Sequence, residues 1–74
     1  MQNKIREFRA KEKMSQEALA LEANVSRQTI SNIEHGSVPS LDVAQRIAKV
    51  FDAKVDDIFL SNLSYVTYKN KSKA

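Results

Sequence analysis

From position 27 to position 35 the chain reads Arg-Gln-Thr-Ile-Ser-Asn-Ile-Glu-His. Wound as an α-helix at about 100° per residue, Arg27, Ser31, His35, Gln28 and Asn32 spread over about 140° of one face, while Ile30 and Ile33 fall together on the other. These polar types share one chemical competence. Gln and Asn amides can bond both N6 and N7 of adenine, Arg can bond O6 and N7 of guanine, and a Ser hydroxyl adapts to several base edges. Ordinary solvated helix faces carry Lys–Glu pairs spaced to support the helix; this stripe has Arg, Gln, Ser and Asn in their place and almost no acid. Catalysis finds no comparable support. His35 is the one histidine in a chain without cysteine, and neither a His-Glu-x-x-His pair nor a glycine-rich phosphate loop occurs. No enzyme activity, cofactor or metal site is expected.

The elements that must position the stripe follow from caps and periodicity. A Ser side chain before a helix accepts from orphaned N–H groups of the first turn, and Ser15, Ser26 and Ser40 each precede a periodic segment. The spacing predicts helices over residues 3–11, 15–23, 26–35, 40–51 and a short one over 56–60. The only glycine, Gly36, and the only proline, Pro39, fall in one loop, and such scarcity of breakers favours helices joined by short turns. In the fourth helix Leu41, Ala44, Ile47, Ala48 and Phe51 fill an arc of about 120°, the width of a face laid on a core. The second presents Leu19, Ala20 and Ala23, small enough for a close crossing, and leaves Leu21 off that face. The expected fold is all-α, a compact domain of four to five helices in residues 1–60, followed by a C-terminal extension over 61–74.

The second helix, the turn Asn24-Val25-Ser26 and the third helix have the spacing of a helix-turn-helix. The string SQEALALEANVSRQTISNIEHG, followed by PSLDVAQRIAKVF and VDDIF, resembles the phage repressor and Cro-like (XRE-type) helix-turn-helix transcriptional regulators. The match covers about residues 3–60 and rests on Gln16, Ala20, Val25, Ile30, Ile33 and Glu34 at the family's spacings. The resemblance implies a lambda-repressor-like fold and a sequence-specific regulator of transcription, usually a repressor, that binds double-stranded DNA as a homodimer on a palindromic operator. It implies base reading by Arg27, Gln28, Ser31 and Asn32, and phosphate contacts by Gln16, Ser26, Thr29, His35 and Ser37. Gln16 would also brace the first residue of the third helix. Arg9 and Glu34 would form an ion pair tying the first helix to the third. The setting it implies is cytoplasmic, in a bacterium or phage, at the nucleoid. Three positions depart from the family pattern. Asn24 replaces the glycine of the turn, Asp52 the glycine after the fourth helix, and Lys54 the capping residue before the last helix; the end beyond Asp52 is expected to fray.

Charge adds little to this reading. Lys and Arg number 12 against 9 acids, for a net +3, but residues 1–60 are balanced and the excess lies in Lys69, Lys71 and Lys73. No apolar run approaches the roughly 18 residues that cross a bilayer, and the absence of cysteine suits a reducing compartment. Beyond the domain, Leu60 and Leu63 with Tyr65, Val66 and Tyr68 supply apolar and strand-favouring residues, expected to pair across a two-fold axis as strands or as a packed apolar patch. The rival function is a protein-binding module, antitoxin-like or anti-repressor, using the same fold to dock a protein regulator through an apolar patch at Leu21 or the tail.

Overall fold

A computed structural model describes residues 3–59, which form five helices: α1 (Ile5–Glu12), α2 (Gln16–Ala23), α3 (Arg27–Glu34), α4 (Leu41–Val50) and α5 (Val55–Ile58). The all-α expectation holds. Leu60, Leu63, Tyr65, Val66 and Tyr68, expected to join two copies, and the basic tail lie outside the described residues.

All three serines cap as expected. Ser15 accepts from the Ala18 N–H at 3.0 Å, Ser26 from Thr29 at 3.0 Å and Ser40 from Val43 at 3.2 Å. The first helix departs from the expected residues 3–11 because Asn3 has other work. Its Oδ1 accepts from the Ile5 N–H at 3.1 Å, its Nδ2 donates to the Ile33 carbonyl at 2.9 Å, and its backbone bridges to Phe59. The helix therefore begins two residues later, at Ile5.

Four helices end by one device. A residue with positive φ stands after α1, α2 and α4 (Lys13, 53°; Asn24, 59°; Asp52, 53°) and after the α3 cap (Gly36, 119°). In each case the next N–H reaches back five residues: Met14 to Arg9, Val25 to Ala20, Ser37 to Asn32 and Ala53 to Ala48, all at 2.9 Å. This is the Schellman pattern, which satisfies carbonyls orphaned at a helix end and is commonly sealed by an apolar contact from the residue beyond the turn. Met14, Val25 and Ala53 supply that contact against the core. Ser37 is exposed and does not.

Ile5, Leu19, Ile30, Ile47, Ile58 and Phe59 are fully buried, with Ala20, Ala23, Ile33, Ala44 and Ala48 filling the crossings. Leu21 is exposed, as its place off the packed face requires. Phe8 and Phe51 close one side with ring centroids 5.4 Å apart, inside the range where aromatic pairs attract. The expectation that the end would fray is overturned. The helix occupies Val55–Ile58 rather than residues 56–60, the Asp57 carboxylate accepts from the Lys54 N–H at 3.2 Å, and the Ile58 carbonyl accepts from the Lys4 N–H at 2.8 Å. Asp57 supplies from inside the helix the cap that Lys54 lacks.

Asn is the least penalised non-glycine residue in the left-handed region. Asn24→Gly should therefore leave urea midpoints nearly unchanged, whereas Asn24→Ala should lower stability by about 1 kcal/mol. Equal midpoints for the two variants would show that the turn is not held at this φ.

Candidate nucleic-acid interface

The polar stripe is only as useful as the placement of α3, and that placement centres on one carboxylate. The Glu34 side chain, in the last turn of α3, is 1% exposed. Arg9 of α1 grips it with both arms of its guanidinium: Nε donates to Oε2 at 2.7 Å and Nη2 to Oε1 at 3.2 Å. Its Nη1 donates to the Met14 carbonyl at 2.9 Å, which fixes the fork. Gln16 of α2 adds a bond from Nε2 to Oε1 at 3.1 Å, and Arg6 Nε stands 3.5 Å from the same oxygen. Burial by itself pushes the Glu34 carboxyl up. The bonds from Arg9 and Gln16, the Arg9 charge and the bond from Arg6 outweigh it and hold the group below its ordinary 4.5.

The expected Arg9–Glu34 pair is therefore present. Gln16 differs from expectation: its amide braces Glu34 at the far end of α3, and not the first residue of that helix. The cause is geometric, since the second oxygen of a buried carboxylate needs its own donors and Gln16 stands within reach of it.

On the outer face Arg27, Gln28 and Asn32 are exposed, and Ser31 is half-buried. Gln28 Nε2 donates to Asn32 Oδ1 at 2.9 Å, so two amides of the stripe already stand side by side. The acid of α3 is turned inward, and the exposed face of this helix carries no negative charge among the described residues. Of the expected phosphate contacts, Ser26 and Thr29 pair by their hydroxyls at 2.8 Å at the start of α3. There the positive end of the helix dipole favours an anion. His35 Nδ1 donates to the Ser31 carbonyl at 2.7 Å, leaving Nε2 as the ring nitrogen open to a ligand. Ser37 is exposed just beyond the helix. Gln16, half-buried, lies at the start of α2.

Two positioning residues escaped the sequence reading. Asn3 accepts from the first N–H of α1 while donating to the Ile33 carbonyl, and no periodicity distinguishes it from any polar residue near a chain end. Arg46 donates from Nη1 to the Asn24 carbonyl at 3.3 Å and pairs with Asp42 at 3.1 Å. The i,i+4 spacing to Asp42 was visible in the sequence; the reach to the turn depends on how α2 and α4 cross. Among the described residues no group of three or more His, Asp or Glu side chains gathers to hold a metal, and no helix is long and apolar enough to cross a membrane.

Comparison with known proteins agrees with this geometry. The helix-turn-helix family pattern matches residues 5–58. The chain is 51% identical over 61 residues to a protein of Archaeoglobus fulgidus named as an uncharacterized HTH-type transcriptional regulator, covering 81% of this chain and 86% of that one. Similarly named proteins of Methanocaldococcus jannaschii and Bacillus subtilis are 49% and 47% identical, over 81% and 80% of this chain and 92% and 91% of theirs. Similarity thus reaches beyond the bacterial and phage regulators that the motifs resemble, into the archaea.

Removing one member of a buried ion pair leaves the other uncompensated, so Glu34→Gln should cost about 3 kcal/mol in urea unfolding, against less than about 0.5 kcal/mol for Asp42→Asn in its exposed pair. The Glu34 carboxyl takes up its proton at lower pH when folded than when unfolded. Its contribution to stability is complete well above 4.5 and declines as pH falls through 4.5 towards the folded value. Glu34→Gln should flatten that part of the pH–stability curve. An unaltered curve would remove Glu34 as its source.

Proposed function

The chain belongs to the helix-turn-helix family, and on that premise we propose that it is a sequence-specific DNA-binding regulator of transcription, most simply a repressor, acting as a homodimer on a palindromic operator. The observation that carries this reading is the acid-free stripe of Arg27, Gln28, Ser31 and Asn32 on a helix whose one carboxylate is buried and clamped. A helix fits the major groove, where each base pair presents a distinct set of donors and acceptors. In this reading α3 lies in the groove with Arg27, Gln28, Ser31 and Asn32 on base edges. Ser26, Thr29, His35 and Ser37 meet the flanking phosphates, joined by Gln16 at the start of α2. Phosphate contacts fix register; the base contacts specify.

One such helix reads only a few base pairs, so two copies related by a two-fold axis would place their recognition helices in successive major grooves about 34 Å apart. Leu60, Leu63, Tyr65, Val66 and Tyr68 are the residues proposed to join them. Regulation follows from occupancy: a bound dimer blocks polymerase at a promoter in the cytoplasm, at the nucleoid. No specific observation favours docking of a protein regulator instead. Leu21, 76% exposed, stands between Glu17 and Glu22, and single exposed leucines are ordinary on protein surfaces.

Selection of bound duplexes from a random library, at two salt concentrations and with wild type and Gln28→Ala in parallel, tests the reading. It predicts an enriched inverted repeat with half-sites about one helical turn apart, relaxed at one position per half-site in the variant. Arg27→Ala should weaken specific binding by about 1–3 kcal/mol. Binding that selects no sequence and disappears at moderate salt would show that the stripe is not a reading head.

A further inference from the structure

The loop between α3 and α4 contains a side chain that the fold itself does not use. Val38 is 60% exposed, flanked by Ser37 and the buried Pro39. A lone exposed valine is unremarkable in general, but this one is held in a defined place. On one side the Gly36 N–H donates to the Ile33 carbonyl at 3.0 Å and the Ser37 N–H to the Asn32 carbonyl at 2.9 Å, which fastens the loop to the end of α3. On the other, Pro39 is buried and Ser40 caps α4. A residue before proline is restricted to extended backbone, and a β-branched side chain is stiff at χ1. Val38 is therefore presented with little freedom left to lose on contact. It also borders the polar stripe: Val38, Ser37, Thr29 and Asn32 line one shallow depression of about 230 Å³.

In the proposed role every residue of the stripe would recognise bases by hydrogen bonds, through the polar ends of Arg27, Gln28, Ser31 and Asn32. Thymine is the base whose major-groove edge carries a methyl group, the C5-methyl beside the O4 acceptor, and apolar side chains recognise it by contact. We propose that Val38 is a specificity-determining residue that packs against the methyl of a thymine next to the base pair read by Asn32, at the edge of each half-site. The assignment rests on the DNA-reading role of α3 and names one base that role leaves unspecified.

The test uses the duplex enriched in the library selection, with each thymine replaced singly by deoxyuridine, which removes the methyl and nothing else. Wild type, Val38→Ala and Asn32→Ala proteins are titrated against the series. One thymine per half-site, adjacent to the position relaxed by Asn32→Ala, should lose about fourfold in wild-type affinity on replacement, the size of burying one methyl-sized group. Val38→Ala should bind the thymine and deoxyuridine duplexes equally, at the weakened level, with an unchanged urea midpoint because the side chain is exposed.

Loss of the same factor from every duplex by Val38→Ala, with deoxyuridine sensitivity intact, would place Val38 on the sugar–phosphate backbone and overturn the proposal. So would a weakened dimer in sedimentation equilibrium without DNA, which would make Val38 a contact between copies. A selected operator in which no thymine is sensitive also overturns it while leaving the stripe's role intact. A selection with no enriched sequence at all removes the base-reading role itself, a distinguishable failure.

Discussion

The carboxylate of Glu34 is the point on which the placement of α3 depends. Sealing an ionised group 99 parts in a hundred away from water is costly unless donors replace the water. Here they come from two other helices: both arms of Arg9 on α1 and the amide of Gln16 on α2, with Arg6 at the rim. Charge-assisted, two-armed bonds are short and directional, so they fix a rotation of α3 about its own axis that apolar packing of Ile30 and Ile33 alone would leave looser. That rotation decides which residues face outward. Buried ion pairs are weak evidence for stability, since apolar replacements often serve as well. Their value here lies in orientation: an apolar residue at position 34 could fill the space but would not define the angle.

A second constraint is the scarcity of glycine. Four helix ends need a residue with positive φ, and the chain has one glycine for them. It stands at Gly36, the one terminus whose following residue, Ser37, contributes no apolar seal. At the other three, Lys13, Asn24 and Asp52 accept a backbone strain that Met14, Val25 and Ala53 offset by packing on the core. The permissive residue thus occurs where packing gives least help. The α3–α4 loop consequently keeps its defined path by hydrogen bonds and Pro39 rather than by burial of apolar surface at Ser37.

The sequence disclosed most of this architecture because its signals are local. Serine caps act within three residues, and helical periodicity needs only one turn on either side, so Ser15, Ser26, Ser40 and the buried faces of α2, α3 and α4 could be read directly. Lys13 gave no such sign, since lysine has no preference for positive φ; its turn is stabilised by Met14 reaching a core assembled from distant segments. Asn3 and the true partner of Gln16 were hidden for the same reason. Each bonds across 18 or more positions, and which donor meets Glu34 Oε1 depends on helix crossings that no spacing rule specifies. The family resemblance supplied the Arg9–Glu34 pair but directed Gln16 to the wrong end of α3.

The balance of charge in the body then bears on how such a molecule could hold DNA. Several of its cations have structural partners: Arg9 is committed to Glu34, Arg6 leans on the same carboxylate, and Arg46 spans Asp42 and the Asn24 carbonyl. On α3 Arg27 is the basic residue, and among the described residues no ion pair engages it. On the proposed reading, then, little nonspecific attraction comes from the body. A single copy would rely on helix-terminal dipoles, hydroxyl contacts and a handful of base contacts, each worth about 1–3 kcal/mol of discrimination at best. On that reading general affinity is given up for discrimination, and two copies would have to share one site before either is held firmly. Occupancy would then follow protomer concentration steeply, which would let the helix-turn-helix unit act as a switch.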